Sequence, residues 1–275
     1  MRTALVTGAG RGIGEAITLR LARAGWTVFA GVRDDASRER LTAADEAIKP
    51  IQLDITDDEH INALPDQLPD RLDALVNNAA IGVLGPVEAV SLADLRRQLD
   101  VNVVGQVAVT QAVLPRLRTA RGRIVFISST GGRMAVPLEG AYCASKFALE
   151  GLADALRQEL LPWQITVSLV EPGPTDTGSW RGIHTMIDDM DQRMSPAHRD
   201  LYSRHTAGLH GVVGRLQSRA VPPDAVARVV ERALTARRPR ARYPAGADAH
   251  VMMAMNAVLP TRVGDAIGAR IGGLR

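Results

Sequence analysis

The stretch Thr7-Gly8-Ala9-Gly10-Arg11-Gly12-Ile13-Gly14 follows a short apolar run, Ala4-Leu5-Val6, and opens a segment of helical period from Gly12 to Ala24 that stops at Gly25. A strand that turns through glycines into a helix leaves backbone N–H groups free at the positive helix end, where a pyrophosphate can approach them. The stretch predicts a dinucleotide site built from Gly8, Gly10, Arg11, Gly12, Ile13 and Gly14. Its spacing, Gly-x-x-x-Gly-x-Gly, differs from the common Gly-x-Gly-x-x-Gly, and a tight glycine turn needed only for packing is the alternative reading.

Outward from this point, β-branched apolar runs alternate with segments of helical period. Strands are read near Ala4 to Thr7, Thr27 to Val32, Pro50 to Asp54, Ala74 to Asn77, Arg123 to Ser128, Thr166 to Glu171 and Arg240 to Tyr243. Strands alternating with helices are the pattern of βαβ units joined by right-handed crossovers. The expected fold is therefore α/β, a doubly wound parallel sheet of seven strands of Rossmann type with helices on both faces. Pro115 and Pro162 mark or interrupt the ends of two later helices. Between about residues 175 and 220 the pattern breaks into polar sequence without strands, too long for an ordinary connection, and reads as a substrate lid. No linker divides the chain, so residues 1–275 read as one domain with that lid and a C-terminal extension of about 245–275.

Composition narrows the class. The hydrophobic fraction of 46% and charged fraction of 23% are those of an ordinary globular protein, not of a disordered or membrane-embedded one. A single cysteine, Cys143, excludes an intrachain disulfide and fits a reducing, cytoplasmic setting. The apolar run at the N-terminus is too short for a signal peptide, and no stretch reaches the ~20 residues of a membrane span. The net charge of +3 comes from scattered arginines apart from a cluster between Arg232 and Arg242, and no groove-reading motif or aromatic platform accompanies that cluster. A small molecule, not a nucleic acid, is the expected partner. Six histidines show no metal-binding spacing, so no metal is expected. His184, His198, His205 and His210 fall in the lid, where exposure is the default. Met186, Met190 and Met194 recur every four residues, as on a lid helix packed against the core.

Two further clusters carry chemistry. The end of the second strand reads Gly31-Val32-Arg33, where a dinucleotide fold that grips a ribose 2′-hydroxyl places an acid. Arg33, with Arg11 close by, can instead pair with a 2′-phosphate, so NADP(H) is expected as cofactor. Asp34 and Asp35 follow at once, and a one-residue shift would restore NAD(H). The second cluster is Ser129, Tyr142 and Lys146, of which Tyr142 and Lys146 lie four apart on one helical face. A phenol with an ordinary pKa near ~10 needs a neighbouring positive charge to exchange a proton at neutral pH. Lys146 supplies one in a chain whose only other lysine is Lys49.

Taken together, TGAGRGIG, LDITD around Asp54, NNAA from Asn77, Asn102 in LDVNVVG, ISS ending at Ser129, YCASK from Tyr142 and EPGPTDT ending at Thr177 resemble the short-chain dehydrogenase/reductase family. The likeness is to its single-domain branch and its 17β-hydroxysteroid dehydrogenase-like members. The resemblance implies that Asp54 and Ile55 flank the adenine, that Asn77, Ala79, Pro172 and Gly173 line the cofactor, and that Thr177 bonds the carboxamide. It also implies that Ser129 polarises the substrate oxygen, Tyr142 exchanges its proton, Lys146 binds the nicotinamide ribose, and Asn102 holds a water on the proton path. On that basis the expected activity is hydride transfer between the nicotinamide and a carbonyl or secondary alcohol of a medium-sized apolar substrate, in a homo-dimer or homo-tetramer. A ketoreductase for carrier-bound acyl chains and a non-catalytic NADP(H)-sensing protein are the alternatives. Ala80 departs from the glycine that many relatives carry there.

Overall fold

The computed structural model describes residues 2–271 and residue 274. Its strands are β1 (Arg2–Val6), β2 (Trp26–Val32), β3 (Ile48–Gln52), β4 (Ala74–Asn77), β5 (Arg123–Ile127), β6 (Thr166–Pro172) and β7 (Arg242–Ala245). All pair in parallel in the order β3-β2-β1-β4-β5-β6-β7. The doubly wound seven-stranded sheet is thus the one read from the sequence, with most strand boundaries within two residues. β3 begins and ends two residues early, which places Asp54 in the loop after the strand.

Alternation along the strands sorts side chains onto two cores, because successive residues point to opposite faces. Ala4, Val6, Val28, Ala30, Val76 and Val125 face one layer, covered by α1 (Gly12–Arg23), α2 (Asp35–Ala44) and, later in the chain, α10 (Pro223–Thr235). Leu5, Leu75, Ile124 and Phe126 face the other, covered by α3 (Asp58–Gln67), α5 (Gly105–Ala120) and α6 (Gly140–Glu159). Helix α1 ends where Gly25 adopts φ +79°. Pro115 does not end α5, which continues to Ala120 and stops at a left-handed Arg121, φ 50°.

The short helix α4 (Leu92–Leu99) runs into α5 through a π-helical turn at Asp100–Val104. After β6 come α7 (Gly178–Arg181), α8 (Ile183–Arg193) and α9 (Pro196–Gln217), so the region read as a lid is helical. Its ends meet: Val221 N–H donates to Pro174 O at 3.0 Å and Asp176 N–H donates to Val221 O at 2.9 Å. Ile187, Met190 and Met194 are buried with Leu84, Leu138 and Val213 in a third apolar cluster, as the methionine spacing foretold. Beyond β7, α11 (Ala247–Val258) and α12 (Thr261–Ile271) form the C-terminal segment.

The neighbours of β1 are β2 and β4, so chain order reverses there. In an open parallel sheet that reversal leaves a crevice beyond the carboxyl ends of the strands. Thr7, Arg33, Asn77, Ser129 and Gly173 all lie at or just past those ends.

Candidate active site

The glycine turn is held by its neighbours. Thr7 Oγ1 accepts the N–H groups of Asn78 (2.9 Å) and Ala79 (3.0 Å), and the Asn78 amide donates to Thr7 O at 2.9 Å and Gly8 O at 3.1 Å. Gly14 must lack a side chain, since a Cβ there would sit 2.2 Å from Gly8 O and 2.5 Å from the Asn78 amide. Gly12 has φ +61° and faces Thr177, whose methyl would lie 3.3 Å from an added Cβ. Helices α2, α3, α4 and α9 are capped by Asp34, Asp57, Ser91 and Ser195, but α1 has no side-chain cap. Its first N–H groups are thus open to an anion, and the cradle fits a dinucleotide pyrophosphate. Ile13 is half-buried beside this turn, and Arg11 is exposed.

At the next strand end the Arg33 side chain is 65% exposed, with Asp54 at 3.6 Å. Asp34 accepts the Ser37 N–H (2.8 Å) and hydroxyl (3.0 Å), and these bonds hold its carboxyl below the usual range. It is therefore committed to capping α2, and Asp35 points to solvent. Burial opposes ionisation of Asp54, but bonds from Thr56 N–H (3.0 Å) and Oγ1 (2.8 Å), with Arg33, outweigh it. Arg40, not foreseen from the sequence, bridges Gly10 O and Glu15.

Two residues expected on the cofactor side have buried side chains. Asn77 is fully buried at the end of β4 and donates to Thr110 Oγ1 of α5 at 2.9 Å, so its side chain braces the core. Asn78 performs the loop-holding task beside it. Ile55, 4% exposed, packs its side chain into the core on the α5 side of the sheet, next to Asp54. Ala79 presents its N–H to Thr7 and its carbonyl to Gln106 (2.9 Å), at the crevice floor. Pro172 ends β6, Gly173 follows it, and Thr177 caps α7 by accepting Trp180 N–H at 3.2 Å.

Ser129, Tyr142 and Lys146 converge at the end of β5. Ser129 accepts Gly131 N–H at 3.0 Å, and its hydroxyl also faces the Tyr142 phenol. Lys146 is 2% exposed, donates to Ile127 O at 2.9 Å and lies 5.8 Å from the Tyr142 ring centroid. Burial pushes Tyr142 up to about 12, with Glu139 and Cys143 adding to the rise and Ser129 opposing it. Burial outweighs the favourable contacts that the protein itself makes to the phenolate. Burial also draws Lys146 down to about 8, against the support of Glu150, and lifts Glu139 to about 7.

Asn102 lies in the π-helical turn and is fully buried. Its amide donates to Ile81 O and Ser145 Oγ, both at 3.0 Å, and its oxygen accepts Ile81 N–H at 2.9 Å. Both amide hydrogens are used, so the side chain braces the loop after β4 against α6. Ser145, which sequence reasoning passed over, relays that brace to the Tyr142 carbonyl at 2.7 Å. Gln98 clamps the same loop through Val83 N–H (2.6 Å) and Ile81 O (2.8 Å).

None of the four histidines between residues 175 and 220 is fully exposed: His184, His198, His205 and His210 are half-buried. His184 and His210 stack with centroids 5.1 Å apart and Nδ1 atoms at 2.8 Å, and His210 Nε2 reaches Asp188 at 3.2 Å. From the other side, Asn256 of α11 donates to Arg133 O at 2.9 Å, so the C-terminal segment flanks the turn after Ser129.

Comparison with known proteins agrees with this geometry. Residues 2–188 match the family model for short chain dehydrogenases. The chain is 35% identical to retinol dehydrogenase 5 of Mus musculus, over 95% of this chain and 86% of that protein. It is 36% identical to 17-beta-hydroxysteroid dehydrogenase type 1 of Homo sapiens, over 87% and 76%. A short chain dehydrogenase from Burkholderia cenocepacia, solved in complex with NADP, superposes with a TM-score of 0.75 at 25% identity, covering 98% of this chain and 99% of that one. The chain belongs to the short-chain dehydrogenase/reductase family, and is a hydride-transfer oxidoreductase acting on CH–OH groups with a nicotinamide cofactor.

Proposed function

We propose that the chain is an NADP(H)-dependent carbonyl reductase or alcohol dehydrogenase for a medium-sized, largely apolar substrate. The observation that carries this reading is the meeting of Ser129, Tyr142 and Lys146 beside an uncapped glycine turn. In this reading the bound nicotinamide supplies or accepts the hydride. Ser129 holds the substrate oxygen, and Tyr142 gives that oxygen its proton during reduction and takes it back during oxidation. Lys146 places a positive charge beneath the phenol and reaches toward the ribose.

NADP(H) is favoured over NAD(H) because the exposed side chain at the end of β2 is Arg33, while the following Asp34 is consumed as a cap. An apolar substrate is favoured by the Leu84, Leu138 and Met190 wall under α8 and α9, and by the retinol and steroid named for the relatives. We take residues 1–275 as one domain whose segment 175–220 is the substrate lid, assembled as a homo-dimer or homo-tetramer in the cytoplasm. No described helix is long and apolar enough to cross a membrane.

The test is NADPH oxidation across a panel of steroid, retinal and aliphatic carbonyls, repeated with NADH. Turnover with apolar ketones or aldehydes, faster with NADPH, is expected. Silence across the whole panel overturns the proposal.

A further inference from the structure

Arg40 projects from the second turn of α2 back onto the glycine turn. Its Nη2 donates to Gly10 O and to Ser37 Oγ (3.5 Å), and its Nε donates to Glu15 Oε1 of α1 at 3.1 Å. Ser37 closes the same corner. It is 6% exposed, its hydroxyl donates to Gly10 O at 3.4 Å, and a Cβ added to Gly10 would meet that hydroxyl at 2.7 Å. The guanidinium is therefore clamped between α1 and α2 while its side chain stays 49% exposed, and Nη1 has no partner among the described residues. A clamped fork with one free arm has little conformational entropy left to lose when it meets an anion.

This corner lies where β2 ends beside the glycine turn, since the same added Gly10 Cβ would come to 3.8 Å from Val32. In a dinucleotide fold the end of the second strand receives the adenosine ribose and whatever its 2′ position carries. Arg33 follows Val32 but leans on Asp54 at 3.6 Å. Asp34 stands next, its carboxylate fixed by the Ser37 N–H (2.8 Å) and hydroxyl (3.0 Å). That negative charge opposes a phosphate in the corner, so one guanidinium does little more than offset it. Arg40, joined to Asp34 through the Ser37 hydroxyl, brings a second cation to the same place. Arg38 of the same helix turns the other way: it donates to Gln52 of β3 at 3.1 Å, and Gln52 donates to Arg33 O at 3.2 Å.

We propose that Arg40 is a specificity-determining residue for the coenzyme: its free Nη1 supplies the second arm of a 2′-phosphate site whose first arm is Arg33. The proposal rests on the NADP(H) reading of this site and extends it from the strand end to helix α2. Gly10 O and Glu15 aim the fork, and Ser37 keeps the carboxylate of Asp34 turned to its cap.

The nucleotides 2′,5′-ADP and 5′-AMP differ by the 2′-phosphate alone, so the ratio of their dissociation constants, measured by calorimetry on the full-length protein, isolates that group. Arg40→Gln should cut the preference for 2′,5′-ADP by about tenfold or more, with 5′-AMP binding within about twofold of the parent. Arg38→Gln makes the same charge change on the same helix and should leave the preference within about twofold. Equal losses of both nucleotides in Arg40→Gln would make Arg40 a brace of the glycine turn alone, and an unchanged preference would put it outside the site; either result overturns the proposal. An equal fall in Arg38→Gln overturns it too, since the effect would then be the general field of the helix. Should Arg40→Gln not fold, Arg40→Lys keeps the charge without the fork and should lose part of the preference, an undiminished one counting against the proposal. A parent with no preference for 2′,5′-ADP sinks the NADP(H) reading itself, whereas a preference that survives in Arg40→Gln sinks only the role of Arg40.

Discussion

Replacing Glu139 by glutamine removes one charge beside Tyr142 and spares the backbone around it. The Glu139 carbonyl accepts Cys143 N–H at 2.8 Å, the residue pairs with Gly85, and its carboxyl has no hydrogen-bond or ion-pair partner among the described residues. Burial lifts this acid from 4.5 to about 7. That displacement is worth about 3 kcal/mol between protonation states. Because the residue keeps partial contact with water, roughly half of it, ~1–2 kcal/mol, is the effect to expect. The folded-state value lies above the unfolded one, so the contribution to stability is complete below about pH 4.5 and is lost as pH rises through about 7. Glutamine has no such loss. Urea unfolding followed by fluorescence at a series of pH values should show Glu139→Gln gaining ~1–2 kcal/mol on the parent between about pH 5 and pH 8. Glu139 also pushes the Tyr142 phenol upward, so the same variant should carry its alcohol-oxidation profile to lower pH. Parallel stability curves for the two proteins would refute the reasoning, since a solvated Glu139 would then be titrating normally.

Tyr142→Phe should cut turnover by ~10²-fold or more, as loss of a positioned acid does, with dinucleotide affinity measured by calorimetry nearly unchanged. Arg33→Ala should weaken NADPH binding by about tenfold or more, the worth of a charge-assisted contact, and leave NADH binding alone. Equal losses for both cofactors would place the 2′-phosphate elsewhere. Met190, 2% exposed between α8 and the core, should cost ~2–5 kcal/mol of unfolding free energy when cut to alanine. An unchanged denaturation midpoint would mean that α8 and α9 melt apart from the sheet.

The glycine turn was legible because its neighbours in sequence are also its neighbours in space. Tyr142 and Lys146 were legible for the same reason, being one helical turn apart. Asn77 and Asn78 were not told apart, because alternation along β4 turns one into the core and the other toward Thr7 and Gly8. No periodicity could pair Glu150 with Arg242, or His184 with His210, since each pair comes from different elements.

From its sequence alone, then, this chain was a parallel α/β protein with a dinucleotide turn and a phenol–ammonium pair. Those features are encoded in local spacing, apolar periodicity and residue type. The charge states at the site were decided only by tertiary structure. Tyr142 stands above its ordinary value, lifted by burial and then by Glu139, and Lys146 stands below, drawn down by burial, and both depend on how helix α6 packs against the strand ends. Solvation is a property of the assembled layers, and no short stretch of residues contains it.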